Sequence, residues 1–510
     1  LTHRQRMDKP ALVKKNLQKG CLEGSFCLVK KNKSVSFFLL TNLLYEEFTI
    51  MKKRKLLSVL MAACVMAGSL TGCGGSSDSA STNGVIEAAT QEAEAKTSER
   101  TDSTTSSSGN GANGDVTELT FWYSWTGNIQ ENNIELTELF NETVGKEKGI
   151  HVTAEYQGTY DELHQKLQAA YVANQTPEIT VMEIGSIRTF AENGVLEPLD
   201  SYITESNVDM NDFYEGLMPN CYVNDVCYGL PYLRSTPIMY CNNTLLKEAG
   251  WDCADIKTWD DLKAAATAVH EKTGKYGMTQ YSYIWTLEAF LMEHGTTILN
   301  EDETATNINT AEAKEVINYY KDMVDAGIMH AYTKAEGSDK LNTDIQNQSC
   351  AIWFGSTGDL TSKLEQAEEG GWELGTAFIP MEAQYGTPTG GCCLIMTSNV
   401  ADEKKAAAWE FLNWMTQTEQ TVKASMRTGY LVSRKSAGES EEMQAYFKEV
   451  PQAQVALQQL EYASGRPTNP NYTEATVEIE QALDTLWVNG GDVDETLEAL
   501  EEKVNKILNQ

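Results

Sequence analysis

Between Thr117 and Tyr123 the apolar side chains Leu119, Phe121 and Tyr123 alternate with polar ones, which predicts a strand half-buried on one face. Ile129 to Thr143 has helical spacing, Ile150 to Tyr156 reads as a second strand, and Asp161 to Ala173 sets Leu163, Leu167 and Ala170 on one helical face. A third strand is predicted from Glu178 to Glu183. Strand and helix alternating in this way imply an α/β lobe with a parallel-rich sheet. A second α/β region follows, with helices predicted at Thr258 to Lys272, where Thr258 is placed to cap, and at Thr310 to Ala326, ending at Gly327. The acidic stretch from Glu474 to Leu508 reads as helical throughout, and no internal repeat is evident.

Upstream of Val116 the pattern is different. Met51 opens a basic run (Lys52, Lys53, Arg54, Lys55), an apolar stretch from Leu56 to Gly68 follows, and Leu70-Thr71-Gly72-Cys73 ends it. The apolar stretch is too short to span a bilayer as a stable helix, and it lies between a basic region and small residues. That order resembles a bacterial lipoprotein signal over residues 51–72, which makes Cys73 the expected lipidation site and the new N-terminus. Residues 1–50 are expected to be upstream sequence with no role in the mature chain. Residues 73–114 are Ser, Thr, Gly, Ala and Glu with almost no large apolar side chain, so burial cannot offset their ordering entropy; they read as a disordered tether.

A length of 510 residues, 41% of them hydrophobic, exceeds one ordinary core and predicts two lobes. The formal net charge is -33, and residues 1–72 carry 13 basic against 4 acidic side chains, so the remainder holds 27 basic against 69 acidic. Such a body opposes nucleic-acid binding, which needs a basic face to release counterions. The seven cysteines after Cys73 (Cys221, Cys227, Cys241, Cys253, Cys350, Cys392, Cys393) are an odd number without CxxC spacing, and the His residues form no HxxxH or HExxH pair. Buried free thiols with one stray disulfide possible, no metal site and no cofactor are the expectations.

Open α/β sheets bind ligands at the carboxyl ends of their strands, and pockets favour the cleft between lobes. Short segments stand at such places in this chain: FWYSW at 121–125, GTYDEL at 158–163, VMEIGS at 181–186, PYLRSTPIMYCN at 231–242, KTWDDL at 257–262, FGSTGDL at 354–360, PTGGCCLIMTS at 388–398 and RTGYLVSR at 427–434. In this order they resemble the extracellular solute-binding proteins of family 1, the maltose-binding-like group that serves ABC importers, in its glycerol-phosphate-binding branch. The resemblance covers residues 116–510. It implies a periplasmic-binding-protein type II fold, two α/β lobes joined by a hinge with the ligand cleft between them. Lobe 1 is expected at 115–233 plus 380–427 and lobe 2 at 234–379 plus 428–510, with crossings near Leu233 to Pro237, Phe378 to Pro380 and Thr428 to Leu431.

Carried across position by position, the resemblance implies a ligand shell of Tyr160, Glu183, Ser235, Ser356, Gly391, Tyr430 and Arg466, with Gly390 and Gly391 indistinguishable by sequence. A phosphate group wants a guanidinium and neutral donors, which Arg466, the Ser235, Ser356 and Tyr430 hydroxyls and a Gly391 N–H would supply. Glu183 would accept from glycerol hydroxyls, and Trp285 or Tyr281 would cover the carbon face. Because a carboxylate repels phosphate, Arg466 and Glu183 are expected at opposite ends of the ligand. Each residue also has a bland reading: Ser235 as a segment end, Glu183 as a solvated loop residue, Arg466 as the partner of some other acid, Trp285 as core. Arg234 is expected to bring positive charge toward the cleft, and Trp353-Phe354 bulk before Ser356; either change would suit a different anion, a phosphodiester or a sugar.

The function implied is capture of a small polar solute, glycerol phosphate or sugar, by a monomer anchored to the membrane through Cys73, with lobe closure and delivery to ABC permease subunits. A receptor presenting ligand to a membrane sensor would use the same surface. An exported hydrolase pairing Asp161 with Glu183 is the competing enzyme reading, without a GxSxG motif or metal cluster to accompany it.

Overall fold

The computed structural model describes residues 116–510. The signal, lipidation and tether expectations for residues 1–114, Cys73 included, lie outside the described residues.

Ten strands build two five-stranded sheets. The first contains β1 (Thr117–Tyr123), β2 (Ile150–Tyr156), β3 (Ile179–Glu183) and β4 (Leu230–Ser235). The second contains β5 (Pro237–Asn242), β6 (Tyr276–Tyr281), β7 (Met329–Tyr332), β8 (Cys350–Ser356) and β9 (Leu374–Ala377), after which β10 (Gly390–Met396) returns to the first. The first sheet runs β2-β1-β3-β10-β4, with β1 parallel to β2 and β3 and with β10 antiparallel to β3 and β4. The second runs β9-β5-β8-β6-β7, with β8, β6 and β7 parallel and β5 antiparallel to both β8 and β9.

Each sheet buries its own apolar core. Phe121, Phe140, Phe411 and Leu394 pack on the first; Trp259, Phe290, Tyr320 and Phe354 pack on the second, with Leu483, Leu497 and Val504 of the C-terminal helices against them. Helix starts are set by side chains that satisfy orphan backbone donors. Thr159 and Glu162 form a reciprocal capping box before Tyr160–Val172, and Thr258 and Asp261 do the same before Trp259–Thr273. Thr310 caps Ala311–Asp325, so these three helices lie within a residue of their expected ends, whereas the one expected over Ile129 to Thr143 is α-helical over Asn128–Phe140 and widens at Asn141–Gly145.

The C-terminal stretch differs from expectation. It forms Tyr472–Leu483, a wide turn at Asp484–Val488, and a separate helix Val493–Leu508 whose first turn is capped by Asp492. Asn489-Gly490-Gly491-Asp492 explains the break: two glycines interrupt the helix and the following Asp restarts it.

The two sheets are joined where β4 runs into β5 through Thr236 alone. Thr357 N–H donates to Thr236 O at 3.0 Å, and the Leu431 N–H donates to Arg234 O at 2.9 Å, so three distant segments meet at this joint. The chain re-enters the first sheet through residues 378–389, pinned by Glu293: its carbonyl accepts from Ala383 and Gln384, and its carboxylate from Gly386 N–H at 3.1 Å.

Candidate functional site: a polar rim and an aromatic cavity

Glu183 ends β3, Ser235 ends β4 and Ser356 ends β8, so three candidate residues lie at strand carboxyl ends. The antiparallel β10 begins at the same edge, with Gly390 opposite Ser235 and Cys392 opposite Glu183. Tyr160 opens the helix after β2, and Trp285 lies in the first turn of the Ile284–Glu293 helix after β6.

The two glycines are distinguishable in three dimensions. Gly391 has φ +81° at a register shift in β10, and a Cβ there would lie 2.0 Å from Leu233 O, so only glycine fits. A Cβ at Gly390 would lie 2.5 Å from Cζ2 of Trp285. The absence of a side chain at 390 is therefore what seats the indole, whose Nε1–H donates to Thr389 O at 3.2 Å.

The polar residues fall into two groups. Arg466 donates through Nε and a terminal nitrogen to both oxygens of Glu288, at 2.9 and 3.1 Å, and its other terminal nitrogen lies 3.6 Å from Glu183. Glu288 is 3% exposed and also accepts from the Tyr472 hydroxyl. Burial alone would lower the Arg466 pKa, but the Glu288 and Glu183 carboxylates outweigh it and hold the guanidinium charged. For Glu183 burial wins: its carboxyl pKa is raised, although Arg466 and the Gly185 N–H, which donates to it at 2.9 Å, pull the other way. The second group joins Tyr160, Tyr430 and the Cys392 thiol; burial first, then the Cys392 neighbour, pushes both phenol pKa values up. Trp125 stands edge-on to Tyr160 at 5.4 Å.

A cavity of about 470 Å³ adjoins these groups on the second-sheet side. Ser356 and Trp285 line it, with Tyr281, Tyr283, Asp359 and Lys363. Tyr281 and Tyr283 stack at 5.2 Å and 13°, and Trp285 stands edge-on to Tyr283 at 6.2 Å. Lys363 is buried and donates to Asn342 Oδ1 at 2.5 Å; burial lowers its pKa against the opposing charge of Asp359. Tyr430 packs close to Gly358, the residue before Asp359: a Cβ at 358 would lie 2.7 Å from its ring. Tyr283 feels the charges of Arg466, Glu480, Glu288 and Glu183, which places it between the cavity and the Arg466 cluster.

The eight candidates therefore do not line one cavity. Ser356 and Trp285 share the large one, and Arg466 borders a smaller one of about 210 Å³. Ser235 is 2% exposed beside the joint between the sheets. Two expectations need correction. Arg466 and Glu183 are not at opposite poles but 3.6 Å apart, because the segment after Ser464 folds back on the end of β3, anchored by the Arg466 N–H and C=O on the Asn220 side-chain amide. Arg234 does not reach the cleft: it is fully buried, donating to Gly390 O, Leu217 O and Thr389 Oγ1. Trp353 and Phe354, the expected bulk before Ser356, do line the large cavity, Trp353 at 1% exposure with its ring stacked on Tyr240 at 5.8 Å.

Glu288, Tyr283, Asp359 and Lys363 were not anticipated. Asp359 lies inside the quoted FGSTGDL segment and Lys363 one turn later on the same helix, so spacing alone would have found that pair. The Asp161 carboxylate is exposed in the first turn of its helix, whereas Glu183 engages Arg466 and Gly185. Among the described residues no cluster of His, Cys, Asp and Glu side chains is arranged to hold a metal ion, and no helix is long and apolar enough to cross a membrane.

The chain and its fold are similar to known proteins. The chain is similar to the sn-glycerol-3-phosphate-binding periplasmic protein UgpB of Yersinia pestis, 24% identical over 396 residues that cover 73% of this chain and 88% of the relative. Among solved structures it superposes on UgpB from Mycobacterium tuberculosis in complex with glycerophosphocholine (TM-score 0.69, 23% identity, 77% of this chain and 98% of that one). It superposes equally on the cyclic alpha-maltosyl-1,6-maltose binding protein from Arthrobacter globiformis (TM-score 0.67, 22% identity, 77% and 99%). The fold is thus the two-lobed maltose-binding type expected. A family model described as bacterial extracellular solute-binding protein matches residues 136–451, and the chain belongs to that family.

Proposed function

We propose that the protein captures a glycerophosphodiester in the cleft between its lobes and delivers it to the membrane subunits of an ABC importer. The observation that carries this reading is the triad of Arg466, Glu288 and Glu183. Glu288 already compensates the guanidinium through two hydrogen bonds and Glu183 faces its remaining nitrogen at 3.6 Å, so a phosphate placed beside Arg466 meets no free positive charge. A carboxylate–guanidinium pair suits vicinal hydroxyls instead, which donate to Glu183 and accept from Arg466. The glycerol end therefore belongs at this triad. The phosphate belongs farther along the cleft, near the Tyr430 and Ser356 hydroxyls, with Tyr160 and the Gly391 backbone alongside. The esterified alcohol then occupies the cavity of Tyr281, Tyr283 and Trp285. A singly charged diester is tolerated by so acidic a site better than the dianion sn-glycerol 3-phosphate. The relatives named for sn-glycerol 3-phosphate and glycerophosphocholine support the class of ligand.

A second reading, an oligosaccharide, is favoured by the five aromatic residues lining the cavity and by the maltosyl-maltose-binding neighbour. Lipid attachment at Cys73 and action as a monomer belong to the same proposal: a tether would keep the closed form within reach of its permease. Thermal unfolding with glycerophosphocholine, sn-glycerol 3-phosphate and maltotriose separates the readings. A ligand at about 100 times its Kd stabilises by about 2.7 kcal/mol, a readable shift in Tm. The proposal expects the largest shift with the diester. A shift with maltotriose and none with either glycerol phosphate overturns it.

A further inference from the structure

Seven cysteines lie among the described residues, all buried, and they differ in what surrounds them. Cys221 and Cys393 stand 3.5 Å apart, an ordinary contact, and the Arg234 guanidinium donates to both sulfurs at 3.9 and 3.8 Å. Those thiols have a polar partner and a reason to remain thiols. Cys241 and Cys253 are different: their Sγ atoms lie 2.6 Å apart, well inside the contact distance of two nonbonded sulfurs, and each is the other's only sulfur or side-chain polar partner.

The surroundings hold the pair together. Cys241 lies in β5 opposite Gly375 of β9. A Cβ at 375 would fall 2.6 Å from Cys253 Cβ and 3.0 Å from its Sγ, so the bare glycine provides the niche into which Cys253 drops. Asn243 closes the other side, accepting from Cys253 N–H at 2.9 Å and donating to Asp252 at 3.2 Å. Between the cysteines the chain makes one helix, Asn243–Ala249, and returns.

We propose that Cys241 and Cys253 are a disulfide site, closed after export. The inference rests on the extracytoplasmic location that the family implies, where disulfides persist. Each thiol gives up its proton, the two sulfurs give up two electrons, and the S–S bond forms; a disulfide-bearing oxidant, protein or glutathione, accepts both electrons and is cleaved to two thiols. Burial raises the Cys241 thiol pKa, so the bond closes during folding, before the sulfurs are sealed from the oxidant. The product staples the loop after the Asn243–Ala249 helix to β5.

The test is peptide mapping of the full chain, refolded with reduced and oxidised glutathione, alkylated in denaturant without reduction, and digested. The proposal expects a linked pair of peptides containing Cys241 and Cys253, about 2 Da lighter than their sum and lost on reduction. Alkylation of both cysteines, or linkage of either to another cysteine, overturns it. Glycerophosphocholine-induced stabilisation measured on the same preparation reports separately on the ligand assignment, so the two can fail independently.

Discussion

Replacing Glu293 by Gln is expected to stabilise the protein increasingly as pH rises. Glu293 ends the helix that begins beside Trp285 and holds the segment re-entering the first sheet, yet it is 1% exposed and one carboxylate oxygen has no hydrogen-bond partner. Burial pushes its pKa from 4.5 to about 9, with only the Gly386 N–H opposing. A carboxyl group whose pKa is raised on folding contributes fully below its unfolded pKa and progressively less as pH climbs toward the folded value. Stability therefore declines between about pH 4.5 and 9, by up to about 1.4 kcal/mol per pH unit, or about 3 kcal/mol by pH 7. The amide keeps the acceptor for Gly386 and removes the ionisation. Other titrating groups cancel when variant and parent are compared, so urea unfolding at pH 5, 7 and 8.5 isolates the effect. The variant should be no more stable than the parent at pH 5 and gain by about 2–3 kcal/mol at pH 7. A difference that stays flat with pH would refute the reasoning.

Arg466→Met should lower stability by about 3–5 kcal/mol, because it strands the Glu288 carboxylate at 3% exposure, and adding Glu288→Gln should recover part of the loss in urea unfolding; additive losses would contradict the coupling. Gly390→Ala forces a Cβ to 2.5 Å from Trp285, so it should cost about 1–3 kcal/mol and reduce the thermal shift given by glycerophosphocholine, whereas an unchanged shift would remove Trp285 from the site. Thr258→Ala breaks a capping box far from the cleft and should cost about 1 kcal/mol in urea unfolding while leaving that thermal shift intact.

How far the sequence carries the argument differs by level. The strands Thr117–Tyr123 and Ile150–Tyr156 are legible to the residue because alternation and turn residues act locally. Helix starts at Thr258 and Thr310 are legible for the same reason, since a cap needs only its own first turn. The C-terminal break at Asn489 to Asp492 is equally local, but the acidic helical pattern resumes on both sides of it and masks it. Side-chain direction is another matter. Nothing within three residues of Arg234 says that its guanidinium will turn inward to Leu217 O, Gly390 O and Thr389; those acceptors come from segments 17 or more positions away.

The Arg466 triad shows why this matters for function. Residue types alone offer a guanidinium for phosphate and a carboxylate for hydroxyls, and electrostatic repulsion then assigns them to separate ends of a ligand. That assignment treats both as free. Glu288, on a helix whose sequence reads as apolar core, takes both donating edges of Arg466, and the remaining nitrogen faces Glu183. Once the cation is compensated, repulsion acts in the opposite sense: it drives phosphate away from Arg466 and leaves the pair suited to hydroxyl groups. Glu183, Ser235 and Ser356 do stand at strand ends, yet in the proposed reading the end of the ligand that Arg466 serves is set by Glu288, a carboxylate that the motifs do not contain.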